Sequence, residues 1–158
     1  MPYIDVKYIN PFLSSIIDIF KDKYSLKSHP EKPYIKKDEL ALGIISGIIM
    51  ISGDITGSMC ITFEEETIKY IISKILEKEI DNLDSDEVKN SVKELISSIS
   101  ANAVNLLRKD GINIETTSPS ILFGSNHTIQ HIVSKPIIVL PFITDKGKFI
   151  VEFTFKKN

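Results

Sequence analysis

The run IISGIIMISGDITGSMCITF, from Ile44 to Phe63, decides how this chain folds. Ile44, Ile45, Ile48, Ile49 and Ile51 are β-branched and bounded by glycines, which favours a strand over a short buried helix. Gly53-Asp54 supplies a turn, and Ile55 to Phe63 reads as the returning strand of a hairpin. Within it Ser58, Cys60 and Thr62 alternate with Met59, Ile61 and Phe63, the period of two that turns one set inward.

Helices are predicted on either side. Asn10-Pro11 is a helix start, since Asn caps free amides and Pro is tolerated at the first helical position. Phe12, Leu13, Ile16, Ile17 and Phe20 then recur at helical spacing, on a helix ending near Tyr24. Ser28 to Asp38, charged and holding Pro30 and Pro33, reads as a surface connection. After the hairpin, Thr62 with Glu65 forms a capping box, and Glu64 and Glu66 suit the positive end of a helix dipole. The helix they open runs to about Leu76 with Ile68, Ile71, Ile72 and Ile75 inward. The three glutamates read as a charged helix start rather than a metal site.

A longer helix is capped near Ser85, runs to about Lys109 and is stopped by Gly111. Ile112 to Thr117 is strand-like, and Pro119 interrupts the chain after it. His127 to Val133, Ile137 to Thr144 and Lys148 to Phe155 read as three antiparallel strands, the last pair joined by a turn at Asp145-Lys146-Gly147. The expected fold is a single α/β domain over residues 1–158, its long helices packed on an antiparallel sheet (an α+β arrangement).

Composition narrows the function. A chain of 158 residues, 42% hydrophobic and 25% charged, matches an ordinary globular domain with a real core. Its net charge of -2 gives no electrostatic footprint for nucleic acid. The most apolar stretch, Ala41 to Ile51, is too short to cross a bilayer, and no basic, apolar leader is seen. A single cysteine, Cys60, excludes an intrachain disulfide and a multi-cysteine metal site. The expected location is the cytoplasm, with no membrane or nucleic-acid partner.

Phosphate loops, nucleophile elbows and zinc-protease pairs are absent from the sequence. His127 and His131, on a strand, would stand about 13 Å apart at about 3.3 Å per residue, too far to share a metal ion. The long helix is more informative. Val88, Val92, Leu95, Ile96, Ile99, Ala103, Leu106 and Leu107 make one apolar stripe. Asn90, Glu94, Ser97, Ser98, Ala101 and Asn105 fall on the opposite face, one acid among short side chains. Such a face suits docking of a partner, packing in the protein's own dimer, or simple solvation.

Several stretches, in order along nearly the whole chain, resemble the CheX/CheC/FliY group of chemotaxis phosphatases. They are Asn10-Pro11-Phe12, Gly53-Asp54-Ile55-Thr56-Gly57-Ser58, Glu94-Leu95-Ile96-Ser97, Ala101-Asn102-Ala103, Ser118-Pro119-Ser120-Ile121-Leu122-Phe123-Gly124 and Val139-Leu140-Pro141-Phe142. The resemblance implies a CheX/CheC-like fold, a homodimer, and removal of phosphate from the aspartate of a CheY-like response regulator. It implies no cofactor of the chain's own, the Mg2+ belonging to the regulator. Its active helix carries Glu-x-x-Asn, the Glu pairing with a regulator lysine and the Asn orienting the attacking water. A single such motif resembles CheX more than CheC.

On this chain Glu94 and Ser97 take the catalytic positions. Asn90, Glu94, Ser98, Ala101, Asn102 and Asn105 take the partner-binding ones. The sequence departs from the pattern at Ser97, where the family has Asn, and at Ala101, where it usually has Gly. Two functions are open: a CheX-like phosphatase with an atypical Glu94-x-x-Ser97 motif, and a regulator-binding module that does not hydrolyse. A structural dimer with an idle helix face is the third.

Overall fold

The computed structural model describes residues 6–38, 41–125, 127–133 and 136–158. Its elements run α1 (Val6–Tyr24), β1 (His29–Pro30), β2 (Tyr34–Ile35), β3 (Ile45–Gly53), β4 (Ile55–Phe63), α2 (Glu65–Leu76), α3 (Asp86–Lys109), β5 (Ile114–Thr116), β6 (Ser120–Phe123), β7 (Ile138–Thr144) and β8 (Gly147–Lys157). The β3–β4 hairpin forms as read, in register from Ile45↔Phe63 to Ile51↔Gly57. It is the centre of an eight-stranded antiparallel sheet ordered β1-β7-β8-β4-β3-β5, with β2 also on β7 and β6 also on β3.

The three helices pack with the sheet around one apolar core. Ile45, Ile49, Ile51, Met59, Ile61 and Phe63 from the hairpin meet Phe149, Val151 and Phe153 from β8 and the helical stripes. Phe20 of α1 lies 4.9 Å from Phe149, which in turn stacks on Phe142 at 4.9 Å. These rings supply much of the apolar area whose removal from water drives folding. A Cβ on Gly47 of β3 would lie 2.0 Å from Ile96 Cδ1, so the tip of that α3 side chain packs on the bare backbone there.

Several local expectations are corrected. Helix α1 starts before Asn10 and carries Pro11 inside it. Tyr8 and Ile9 are both buried, so tertiary packing holds the turn ahead of a proline that removes one helical bond. The Thr62–Glu65 capping box does not form. Thr62 stays in β4 with its hydroxyl 2.6 Å from Ser46, and the N-cap is Glu64, whose Oε1 accepts from the Lys148 amide at 2.9 Å. Within the expected surface connection, β1 and β2 instead pair with the edge of β7, giving its free amides and carbonyls partners.

The largest correction concerns residues 127–133, which form no regular strand among the described elements. They lie over the sheet face turned away from the helices. The His127 ring reaches Ser46 at 2.6 Å and the Gly124 carbonyl, and His131 reaches Ser58 at 2.6 Å and Glu152 at 3.0 Å. Ile129 packs between them with Ile48 and Cys60. Both alternating sets of β4 are therefore buried, the polar one beneath this segment. Hydroxyls in that layer need partners once water is excluded: Ser58 has His131, and Thr62 has Ser46, which in turn has His127.

Candidate functional site

Helix α3 carries the candidate residues, and its ends are firmly set. The Ser85 hydroxyl accepts from the Val88 amide at 3.2 Å, and Asp86 and Glu87 occupy the first turn. Arg108 and Lys109 lie in the last turn, and Gly111 comes just beyond with φ +79°, a conformation that favours glycine. Between these ends Val88, Val92, Leu95, Ile96, Ile99, Ala103 and Leu107 are buried. That stripe fixes the rotation of the helix, and with it the outward-facing set.

Asn90, Glu94, Ser97, Ala101, Asn102 and Asn105 are exposed and Ser98 is half-buried. Asn90, Glu94, Ser97 and Ser98, together with Lys93, line one shallow open depression of about 570 Å³. Asn90, Ser97 and Ser98 are short side chains, which leaves room for another chain's backbone to come close between Lys93 and Glu94. Ala101 and Asn105 do not line it. The Asn105 carboxamide oxygen accepts from Arg108 at 3.3 Å. Asn102 faces α1, where its amide donates to the Ser15 hydroxyl at 3.0 Å while Ser15 donates to the Pro11 carbonyl at 2.7 Å. Asn102 therefore helps to join α1 to α3.

Glu94 has no ion-pair partner among the described residues. Its neighbours at three and four residues are Asn90, Ser91, Ser97 and Ser98, none of them cationic. Tyr24, at the end of α1, is close enough to feel the carboxylate. Burial, and then the charge of Glu94, push the Tyr24 phenol above its ordinary range. The Ser97 hydroxyl makes no hydrogen bond among the described residues, although its carbonyl accepts from Ser100 at 3.1 Å. The depression thus presents an unpaired carboxylate beside an unengaged hydroxyl. Sequence reasoning missed Tyr24 and Lys93 as neighbours: Tyr24 is distant in the chain, and Lys93 resembles any surface lysine.

A second cluster has the residue types of a hydrolase relay but not its access. Ser58, His131 and Glu152 form a hydrogen-bonded chain, with Thr154 at 3.0 Å from Ser58 and Lys36 at 3.0 Å from Glu152. The Ser58 and Glu152 residues and the His131 side chain have 0% exposure, so no substrate reaches the serine oxygen. The chain fastens residues 127–133 and the Lys36 segment to the sheet. This pair of histidines serves structure, each ring bonded to its own strand, and among the described residues no group of three or more His, Cys, Asp or Glu is placed to hold a metal.

Cys60 lies in the same buried layer. Burial first, and then the Glu152 charge, push its thiol up to about 12. The native chain should therefore resist iodoacetamide at pH 8 and react only when unfolded, which mass spectrometry reads directly. Stability from the neutral buried thiol is complete below about pH 9 and is lost as pH rises from there through about 12. Urea titrations should thus show a decline above pH 9 that is shallower in Cys60→Val, by up to about 1.4 kcal/mol per pH unit.

Comparison with known proteins agrees with this architecture. The family described as chemotaxis phosphatase CheX matches residues 45–143, from β3 into β7. A CheC-like superfamily protein from Shewanella sp. PV-4 is 36% identical, with 97% of this chain and 99% of that one covered and a TM-score of 0.88. The chemotaxis protein CheX from Vibrio vulnificus is 34% identical, with coverage of 95% and 99% and a TM-score of 0.86. A chain of the CheX–CheY–BeF3–Mg2+ complex from Borrelia burgdorferi is 25% identical, with coverage of 98% and 100% and a TM-score of 0.78. Comparison with curated proteins finds no match. Among the described residues no helix is long and apolar enough to cross a membrane. With the helix-backed antiparallel sheet and the family match running across hairpin, long helix and β7, the chain belongs to the CheX family of chemotaxis phosphatases.

Proposed function

We propose that the chain docks through the exposed face of α3 on a CheY-type response regulator phosphorylated on aspartate, and promotes hydrolysis of that aspartyl phosphate. The observation that carries the reading is the unpaired Glu94 carboxylate lining one depression with the free Ser97 hydroxyl. The Borrelia burgdorferi relative in complex with CheY supports a regulator as the partner class. Glu94 sets registry by pairing with a regulator lysine at an interface that sheds water. Ser97 holds a water in line with the phosphorus. Attack forms the new P–O bond, the bond to the aspartate oxygen breaks, and carboxylate and inorganic phosphate leave. An acyl phosphate is already reactive, so docking and placing one water meet most of the need.

The Mg2+ in this scheme sits in the regulator, and the chain brings no cofactor of its own. The same reading places the chain in the cytoplasm as a homodimer, which sedimentation of the purified protein measures. One observation favours a second reading, binding without turnover: the hydroxyl of Ser97 is shorter than the amide the family uses.

Docking is tested with a CheY-type regulator of the same cell loaded with beryllofluoride and Mg2+. Glu94→Ala should bind about tenfold more weakly than the native chain, with unchanged circular dichroism. Equal affinity of the two chains would remove Glu94 from the interface and reject this mode of docking.

A further inference from the structure

We infer that Lys93 is the residue by which this chain senses the phosphoryl group of its partner, an anion-recognition role that rests on the docking reading above. Lys93 is exposed and lines the depression with Glu94 and Ser97. Its position comes from the helix: four residues before Ser97, it stands about 6 Å along the axis on neighbouring surface.

Its place in the depression sets it apart, and its charge has no internal partner there among the described residues. Lys69 pairs with Glu65 at 3.2 Å, Lys78 with Glu87 at 2.8 Å and Lys89 with Asp84 at 2.7 Å. Lys93 has no ion-pair partner among the described residues, and at three and four residues it meets only Lys89, Asn90, Ile96 and Ser97. Glu94 is likewise free of a helical counter-charge, so the depression offers one free acid and one free base side by side. A regulator face that presents a lysine next to a phosphorylated carboxyl has the complementary pair.

Chemistry suits the assignment. The ammonium rides on a flexible four-carbon stem and acts as a point charge toward phosphoryl oxygens without demanding one geometry. It would cover the ground that the short Ser97 side chain cannot reach, through charge rather than through water placement. Glu94 then gives registry, and Lys93 gives preference for the phosphorylated form.

The test compares affinity for the regulator with and without beryllofluoride–Mg2+, for the native chain, Lys93→Met and Lys93→Arg. The native chain should prefer the loaded form, Lys93→Met should lose about fivefold of that preference, and Lys93→Arg should keep it; raising salt should shrink the native preference toward that of Lys93→Met. A native preference retained in full by Lys93→Met overturns the assignment and leaves docking intact. A native chain with no preference for the loaded regulator overturns the docking reading and this inference with it.

Discussion

Ser97→Asn is expected to release phosphate from a phosphorylated CheY-type regulator about a hundredfold faster than the native chain. The position is exposed, its hydroxyl is unengaged, and it borders the depression that Glu94 lines, so an added amide meets open space. Serine ends about one bond, roughly 1.5 Å, short of an asparagine amide. Displacements near 1 Å in a positioning group cost about two orders of magnitude. The amide also both donates to and accepts from a water, fixing its orientation as well as its place. Binding should change little if, as proposed, registry belongs to Glu94. Single-turnover decay of the radiolabelled regulator measures the rate, and a native rate equal to that of Ser97→Asn would show that reach does not limit this site.

Lys36→Met is expected to destabilise the fold by about 3–5 kcal/mol, read as a fall in the urea midpoint at unchanged slope. Its side chain is 4% exposed and its Nζ lies 3.0 Å from the fully buried Glu152 carboxylate. Removing the ammonium leaves that carboxylate with the His131 ring as its remaining hydrogen-bond partner, at 3.0 Å. A buried charge that loses its counter-charge costs far more than the pair itself contributes. The comparison with Lys36→Met/Glu152→Gln separates the two effects. The double variant removes the orphaned charge, keeps one carbonyl for His131, and should recover a large part of the loss. A single variant as stable as the native chain would mean that the layer beneath residues 127–133 is wet enough to solvate Glu152.

The parts of the fold legible in the sequence are those whose signals are local. Glycine-bounded isoleucines gave β3, Gly53-Asp54 its turn, and Ser85 with Gly111 the limits of α3. The outer face of α3 was legible for the same reason, since its rotation is set by the apolar stripe. Elements set by distant partners were not. β1 and β2 are two residues each, too short for any period, and exist because β7 has an edge to pair. The alternation from His127 to Val133 imitates a strand, yet its histidines answer to Ser46 and Ser58, far away in the chain. Thr62 had the spacing of a cap and lost it to the hairpin ladder and Ser46.

Within the candidate site, Glu94 and Ser97 stood out by pattern, whereas Tyr24 could be found only from how α1 ends beside α3. Lys93 left one readable trace, the absence of any acid three or four residues away.

The central claim is that the α3 face acts on a phosphorylated regulator, and phosphate release tests it most directly. The phosphorylated CheY-type regulator is monitored alone, with the native chain, and with Glu94→Ala at equal concentration. The expected result is catalytic acceleration by the native chain that falls away in Glu94→Ala while both chains remain folded. Decay that is the same in all three mixtures would contradict it.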